Sequence, residues 1–250
     1  MSYTIALAGK GGTGKTTIAG MLIKYLVSKK MFPILAVDAD PNANFNEVLG
    51  LDVEETLGNA REDMKTGVPR GMTKDVFMAM KLETAIVEAG EYDLIAMGQP
   101  EGKGCYCAAN SILTGILEQL TDNYPYVVMD NEAGMEHISR LTTKKVDLLL
   151  MVADTSRRGI QATVRINKLA EKLSIGVAKA CVIVNQVKGE LPDEIQEIFK
   201  KAEIDFAGTI PEDEAIYQYD LNGTPTIEIP DNNNAVTAAF NIFDKIIKSK

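Results

Sequence analysis

Short apolar runs alternate along this chain with longer amphipathic stretches. The apolar runs predict buried strands at 3–8, 33–38, 92–97, 125–130, 147–152, 180–185 and 205–210. Between most of them apolar residues recur at helical spacing, which predicts helices at 15–29, 73–89, 111–121, 159–173, 191–200 and 233–248. Alternating strands and helices favour an α/β fold, in which a mainly parallel twisted sheet carries helices on both faces.

The organisation of the chain favours one domain over residues 1–250, because no linker-like stretch and no internal repeat interrupts the alternation. The segment 41–72 has the least regular pattern. Its polar, glycine-containing part, 58–71, is expected to change position when a ligand binds.

Composition narrows the classes of function. A net charge of -9 argues against a general nucleic-acid surface, which needs clustered Lys and Arg. No basic leader precedes the first apolar run, and no run approaches the roughly 20 apolar residues that span a bilayer. We therefore expect a cytoplasmic protein without stable membrane association. In that reducing compartment its three cysteines are expected to be thiols or metal ligands.

The first predicted strand leads into the sequence GKGGTGKTT at positions 9–17, which matches the phosphate-loop pattern. Backbone N–H groups of such a loop surround a phosphate, and the helix that follows adds its positive end. Lys15 is expected to reach the β- and γ-phosphates, and the Thr16 hydroxyl to bind Mg²⁺. The expected nucleotide-binding residues of the loop are Gly11, Gly12, Thr13, Gly14, Lys15, Thr16 and Thr17.

Polar side chains follow several of the other predicted strands. Asp38 and Asp40 end the second strand, Asp130 ends the fourth, and Asn185 ends the sixth. Ligands of open α/β sheets bind at the carboxyl ends of strands. Acidic side chains there can hold Mg²⁺ through water or orient an attacking water, which are the two tasks of phosphoryl transfer.

A second lysine, Lys10, gives the loop the sequence KGGTGKT and resembles the deviant phosphate loop of MinD, ParA and nitrogenase-iron-protein ATPases. The resemblance implies ATP as the nucleotide and a homodimer in which Lys10 reaches the partner's nucleotide as a catalytic residue beside Lys15. It also implies that Asp40 activates water on the Mg²⁺ side and that Asp130 is the second Mg²⁺-side acid.

The same resemblance extends to further positions. It implies that Asp38 supports the site and that Asn185 and Pro211 contact adenine. Nitrogenase iron protein has an aspartate four residues after the residue that corresponds to Asp40, whereas this chain has Asn44. No role is carried over to that position.

Two of the cysteines, Cys105 and Cys107, stand one residue apart just before the predicted helix 111–121. A helix N-terminus and the neighbouring Lys103 favour the thiolate form, which binds metals. Two thiolates do not complete a four-coordinate site, but a two-fold axis can supply the other two. The third cysteine, Cys181, lies inside a predicted strand and is expected to be a buried apolar residue.

The surroundings of this pair, QPEGKGCYCAAN (99–110) and DNEAGMEHISR (130–140), resemble the CooC family of nickel-insertion ATPases and its AcsF branch. The resemblance implies that paired cysteines of two protomers hold one Ni²⁺, or Zn²⁺ at the same site. It further implies ATP-dependent nickel delivery to carbon monoxide dehydrogenase or acetyl-CoA synthase as the client.

Several alternatives stay open at the level of sequence. The thiol pair could be structural or hold a bridging iron–sulfur cluster, as in a reductase-like ATPase. A positioning ATPase of the ParA or MinD type is another reading, because the last helix carries an apolar stripe flanked by lysines. That stripe equally suits docking on the sheet. His137 is either a metal ligand or a hydrogen-bonded residue at a helix start. The client and the nickel donor are not specified.

Overall fold

The computed structural model describes residues 2–42, 44–98, 120, 123–133, 145–172 and 176–247. Cys105, Cys107 and His137 lie outside the described residues, as does the predicted helix 111–121 apart from Leu120. No helix within the described ranges is long and apolar enough to cross a membrane.

Eight strands of the described residues form one sheet, in the order β3-β4-β2-β5-β1-β6-β7-β8. Their bounds are β1 Tyr3–Gly9, β2 Ile34–Ala39, β3 Ile86–Glu88, β4 Tyr92–Ala96, β5 Tyr126–Asn131, β6 Lys145–Ala153, β7 Gly176–Val187 and β8 Asp205–Pro211. All pairings are parallel except the one between β3 and β4 at the edge. The predicted α/β class with a mainly parallel sheet is confirmed.

Helices connect most of the strands. Their bounds are α1 Lys15–Ser28, α2 Phe45–Leu49, α3 Leu57–Thr66, α4 Lys74–Ala85, α5 Arg157–Lys172, α6 Asp193–Lys201, α7 Glu214–Leu221 and α8 Asn234–Ile246. Five of them correspond to predicted helices. The predicted helix 73–89 is too long, because residues 86–88 leave the helix and pair as β3 with the edge of the sheet.

The segment 41–72, which has the least regular sequence pattern, contains two helices that were not predicted, α2 and α3. The Thr56 hydroxyl accepts a hydrogen bond from the Asn59 amide at 3.2 Å and caps α3. The Gly58 amide donates to the Met97 carbonyl at 2.9 Å, so the start of α3 is held against the end of β4. Long-range contacts therefore compensate for a glycine that weakens a helix in isolation.

Two hydrophobic layers enclose the sheet. Helices α1 and α8 cover one face, and α5 and α6 cover the other. In α8, Val236 and Phe243 are fully buried, and Phe240 packs edge-on against Tyr25 with ring centroids 5.4 Å apart. Of the two readings of the last helix, docking on the sheet is the one that the structure adopts.

The carboxyl ends of the parallel strands meet at one edge of the sheet. Asp38 of β2 and Asp130 of β5 are register partners on adjacent strands, and β1 lies beside β5. The phosphate loop follows β1 directly. Residues that are far apart in sequence are thereby brought to one site.

Candidate nucleotide-binding site

The phosphate loop connects the end of β1 at Gly9 to the start of α1 at Lys15. Within it the Thr13 hydroxyl donates to the Lys10 carbonyl at 2.9 Å. Gly14 has φ +83°, and a Cβ there would lie 2.5 Å from Asn185 Nδ2. Only glycine combines that backbone conformation with that close approach.

Lys15 is the most strongly buried cation of the loop, with 8% of its surface exposed. Burial lowers the pKa of its ammonium group, while Asp130, Asp40 and Glu132 raise it. The surrounding carboxylates therefore favour the charged form that a phosphate requires.

Asp130 and Thr16 form the centre of the site. The Thr16 hydroxyl donates to Asp130 Oδ2 at 2.6 Å. Asp130 Oδ1 is buried and has no hydrogen-bond partner among the residues that the structure describes. Burial raises the pKa of Asp130 to about 6, against the opposing effects of the Thr16 hydrogen bond and Lys15. An unpartnered carboxylate oxygen beside a threonine hydroxyl fits Mg²⁺, a hard cation that takes oxygen ligands and keeps several waters.

Asp38 lies under the loop that carries Asp40. Its carboxylate accepts hydrogen bonds from the Asp40 amide at 3.0 Å and the Phe45 amide at 2.9 Å. Burial raises the pKa of Asp38 to about 7, and the nearby Asp130 adds to the rise, while the two amides lower it. Asp38 thus fixes the path of the chain from β2 into α2.

The Asp40 carboxylate is partly exposed at the mouth of the site. Its Oδ1 accepts hydrogen bonds from the Asn42 amide at 2.9 Å and from Asn42 Nδ2 at 3.0 Å. Sequence reasoning missed Asn42, although an Asp-x-Asn turn is a recognisable local signal. Asn44 precedes α2 without a side-chain capping bond.

A cleft of about 250 Å³ lies between the phosphate loop and the ends of β7 and β8. Asn185 and Pro211 both line it, and Asn185 Nδ2 donates to the Thr13 carbonyl at 3.0 Å. Tyr217 of α7 also lines the cleft and was missed because the prediction did not include α7. The cleft has the position expected for a base next to the phosphate loop.

The structure brings Lys15, Thr16, Asp40 and Asp130 together, whereas Lys10 is exposed and lines a separate cavity. Within the described ranges, no group of three or more His, Cys, Asp or Glu side chains is arranged to hold a metal ion. The cysteine pair is not among those ranges.

A phosphate loop between the first strand and first helix, with carboxylates at the ends of adjacent parallel strands, defines the class of P-loop nucleotide hydrolases. The model of the CobQ/CobB/MinD/ParA nucleotide-binding domain family matches residues 4–227. The chain belongs to this family, and it is an ATP-binding P-loop ATPase of the MinD/ParA class.

Individual relatives agree with this classification. The chain is 42% identical over 251 residues to an uncharacterized ATP-binding protein of Methanocaldococcus jannaschii, covering 98% of this chain and 99% of the relative. It is 33% identical to the carbon monoxide dehydrogenase accessory protein CooC of Rhodospirillum rubrum, covering 88% of this chain and 87% of the relative.

The fold itself is similar to that of the septum site-determining protein MinD of Pyrococcus horikoshii, solved with Mg-ADP. The TM-score is 0.73, with 99% of this chain and 97% of the other covered. At 20% sequence identity this likeness supports the fold alone.

Proposed function

We propose that this protein is a homodimeric metallochaperone ATPase with one domain over residues 1–250. Cys105 and Cys107 of both chains hold one Ni²⁺, or Zn²⁺ at the same site, as the cargo. ATP turnover accompanies delivery of nickel to carbon monoxide dehydrogenase or acetyl-CoA synthase. The similarity to CooC over most of both chains supports this class of client.

The observation that carries the proposal is the attachment of β4 to the nucleotide site. The Met97 amide donates to the Asp38 carbonyl at 2.8 Å, just after β4 ends. The side chain of the same Asp38 holds the Asp40 loop. The described chain then reaches Gly98, and the segment with Cys105 and Cys107 follows in sequence.

This attachment supports a physical route between the nucleotide and the metal. A displacement of the Asp40 loop alters the surroundings of Asp38 and hence the end of β4. Coupling of this kind requires that the metal affinity differ between nucleotide states.

In the hydrolysis step, Asp40 orients water toward the γ-phosphate, and Lys15 and the partner's Lys10 stabilise the charge on the transferring phosphoryl group. Mg²⁺, when bound at Thr16 and on the Asp40 and Asp130 side, supplies additional positive charge to the phosphates. Asn185 and Pro211 hold the adenine.

The proposal is tested by measuring nickel per chain after anaerobic equilibrium dialysis. The wild type is expected to hold one nickel per two chains, and Cys105→Ala/Cys107→Ala none. Cys181→Ala is the matched control. Cys181 is fully buried in β7, so this variant should retain nickel binding. A nonhydrolysable ATP analogue is expected to change the nickel affinity of the wild type. Equal nickel binding by the double variant would refute the thiolate site.

A positioning ATPase is the second candidate, since the MinD-like fold suits it. It would be favoured by an absence of specific nickel together with co-sedimentation of the intact protein on anionic liposomes. Brown colour and visible absorption after anaerobic purification would instead indicate an iron–sulfur reductase.

A further inference from the structure

A second cavity, separate from the base cleft, lies beside the phosphate loop. It is open to solvent, measures about 650 Å³, and is lined by three cationic residues, Lys10, Arg158 and Arg165. The other described residues of its walls are glycine, alanine and isoleucine, so among the residues that the structure describes no acidic side chain lines it. A cavity of this composition is suited to an anion.

Within the described ranges, the three cations of this cavity have no partner in the same chain. All three side chains are exposed, and none forms a hydrogen bond or ion pair with another residue in the part of the chain that the structure describes. Arg158 and Arg165 stand seven residues apart on α5 and so share one side of the helix. Unpaired cations concentrated at one place in a chain of net charge -9 favour binding of an external anion.

The cavity is distinct from the phosphate-binding centre of the same chain, because Lys15, Thr16 and Asp130 do not line it. We propose that the cavity receives the triphosphate of the nucleotide bound by a second copy of the chain, with Arg158 joining Lys10 in contacting it. This inference rests on the homodimeric ATPase proposed above. It adds Arg158 as a residue that acts across the dimer.

A triphosphate bound between the two cationic cavities would make dimerisation depend on ATP. Two copies with the same cationic cavity repel each other when these faces approach. The triphosphate places a strong anion between them, and an isologous interface repeats the contact twice. Arginine suits this role because its planar group binds two phosphate oxygens at once.

Sedimentation velocity with a nonhydrolysable ATP analogue tests the contact. Arg158→Ala is expected to weaken dimerisation by about tenfold or more, which is the modest end for a lost arginine–phosphate contact. Arg158→Lys should restore part of it. Lys168→Ala is the matched control, since Lys168 lies on the same helix but not on the cavity. Equal dimerisation by Arg158→Ala and wild type, or a wild type that does not dimerise with the analogue, would overturn the proposal.

Mixed dimers decide whether Arg158 acts across the interface. Asp40→Ala leaves its own site unable to orient water but still provides Arg158 to its partner. Mixing it with Arg158→Ala creates heterodimers with one complete site. An equal mixture should recover about a quarter of the wild-type ATPase rate, since about half of the dimers are mixed and each has one active site. No recovery would show that Arg158 does not act in trans.

Nickel dialysis of Arg158→Ala separates this inference from the proposed metal function. Loss of trans complementation with intact nickel binding refutes only the role of Arg158. Recovery in the mixed dimers without any thiolate-bound nickel refutes only the metal role.

Discussion

Replacing Asp130 with asparagine should have opposite effects on the free protein and on the nucleotide complex. In the free protein this carboxylate is buried, its Oδ1 has no partner within the described part of the chain, and burial raises its pKa to about 6. Asparagine keeps an acceptor for the Thr16 hydroxyl and removes the buried charge. The variant therefore removes an unfavourable charge from the apo fold and, with it, the carboxylate that Mg²⁺ needs.

The magnitude follows from the pKa of Asp130. It lies about two units above the value of 3.8 for a free aspartate, and one unit corresponds to about 1.36 kcal/mol. Because the folded pKa is the higher one, the native state binds more protons than the unfolded chain between pH 4 and 6. The free energy of unfolding therefore falls as pH rises through this window, by about 3 kcal/mol in all.

The asparagine substitution restores only part of the free energy of unfolding that the wild type loses when Asp130 ionises. Its amide N–H at the position of Oδ1 has no acceptor among the described residues, and an unsatisfied buried donor costs about 1–3 kcal/mol. At pH 7.5 apo Asp130→Asn should thus equal or exceed the wild type by up to about 2 kcal/mol, the difference between those two terms. At pH 4, where Asp130 is protonated, the variant should be the less stable of the two.

Urea unfolding of both proteins from pH 4 to 7.5 measures these values. Asp38 titrates in the same range, and the Asp130 charge adds to the rise of its pKa, so the difference between the two profiles reports the buried Asp130 charge together with its effect on Asp38. Mg-nucleotide at 100 times its Kd should stabilise the wild type by about 2.7 kcal/mol and leave the variant nearly unchanged. Chelating Mg²⁺ should remove most of that gain. Parallel pH profiles for the two proteins would refute the buried-charge argument.

Three further substitutions have expected outcomes. Gly14→Ala should abolish nucleotide binding in calorimetry while the far-ultraviolet circular dichroism stays unchanged, because its Cβ would displace the Asn185 amide. Asn185→Ala should weaken binding of ATP more than that of inorganic triphosphate, since it lines the base cleft; equal weakening would argue against a base contact. Tyr25→Phe removes a 2.9 Å hydrogen bond to Asp244 and should cost about 1 kcal/mol in urea unfolding. Burial raises the pKa of Tyr25 to about 12, so the wild type should lose this advantage as pH rises above 10.

The central strands were predictable because they are buried on both faces and read as continuous apolar runs. The edge strand β3 has no such run, and its half-exposed residues 86–88 continue the helical pattern of α4. Its pairing with β4 is a tertiary effect that a local pattern does not contain. Helix α3 was missed for a related reason: its first turn is held by Met97, which lies in another element.

The candidate site likewise has features that the sequence predicts and features that only the fold creates. The phosphate loop and the strand-end carboxylates could be predicted because each lies directly after an apolar run. The hydrogen bonds that Asp38 accepts from the Asp40 and Phe45 amides could not be predicted, since they depend on the path of the loop that leads into α2.

The cationic cavity could not be predicted from local sequence patterns. The spacing of Arg158 and Arg165 places them on one side of a helix, and Lys10 is visible in the motif. Nothing local connects the two observations. The connection is the pairing of β1 with β6, in which Gly9 is the register partner of Val152. That pairing puts the end of β6, and therefore the start of α5, beside the phosphate loop. A shift of one strand in the sheet order would separate the arginines from Lys10 while leaving every motif intact.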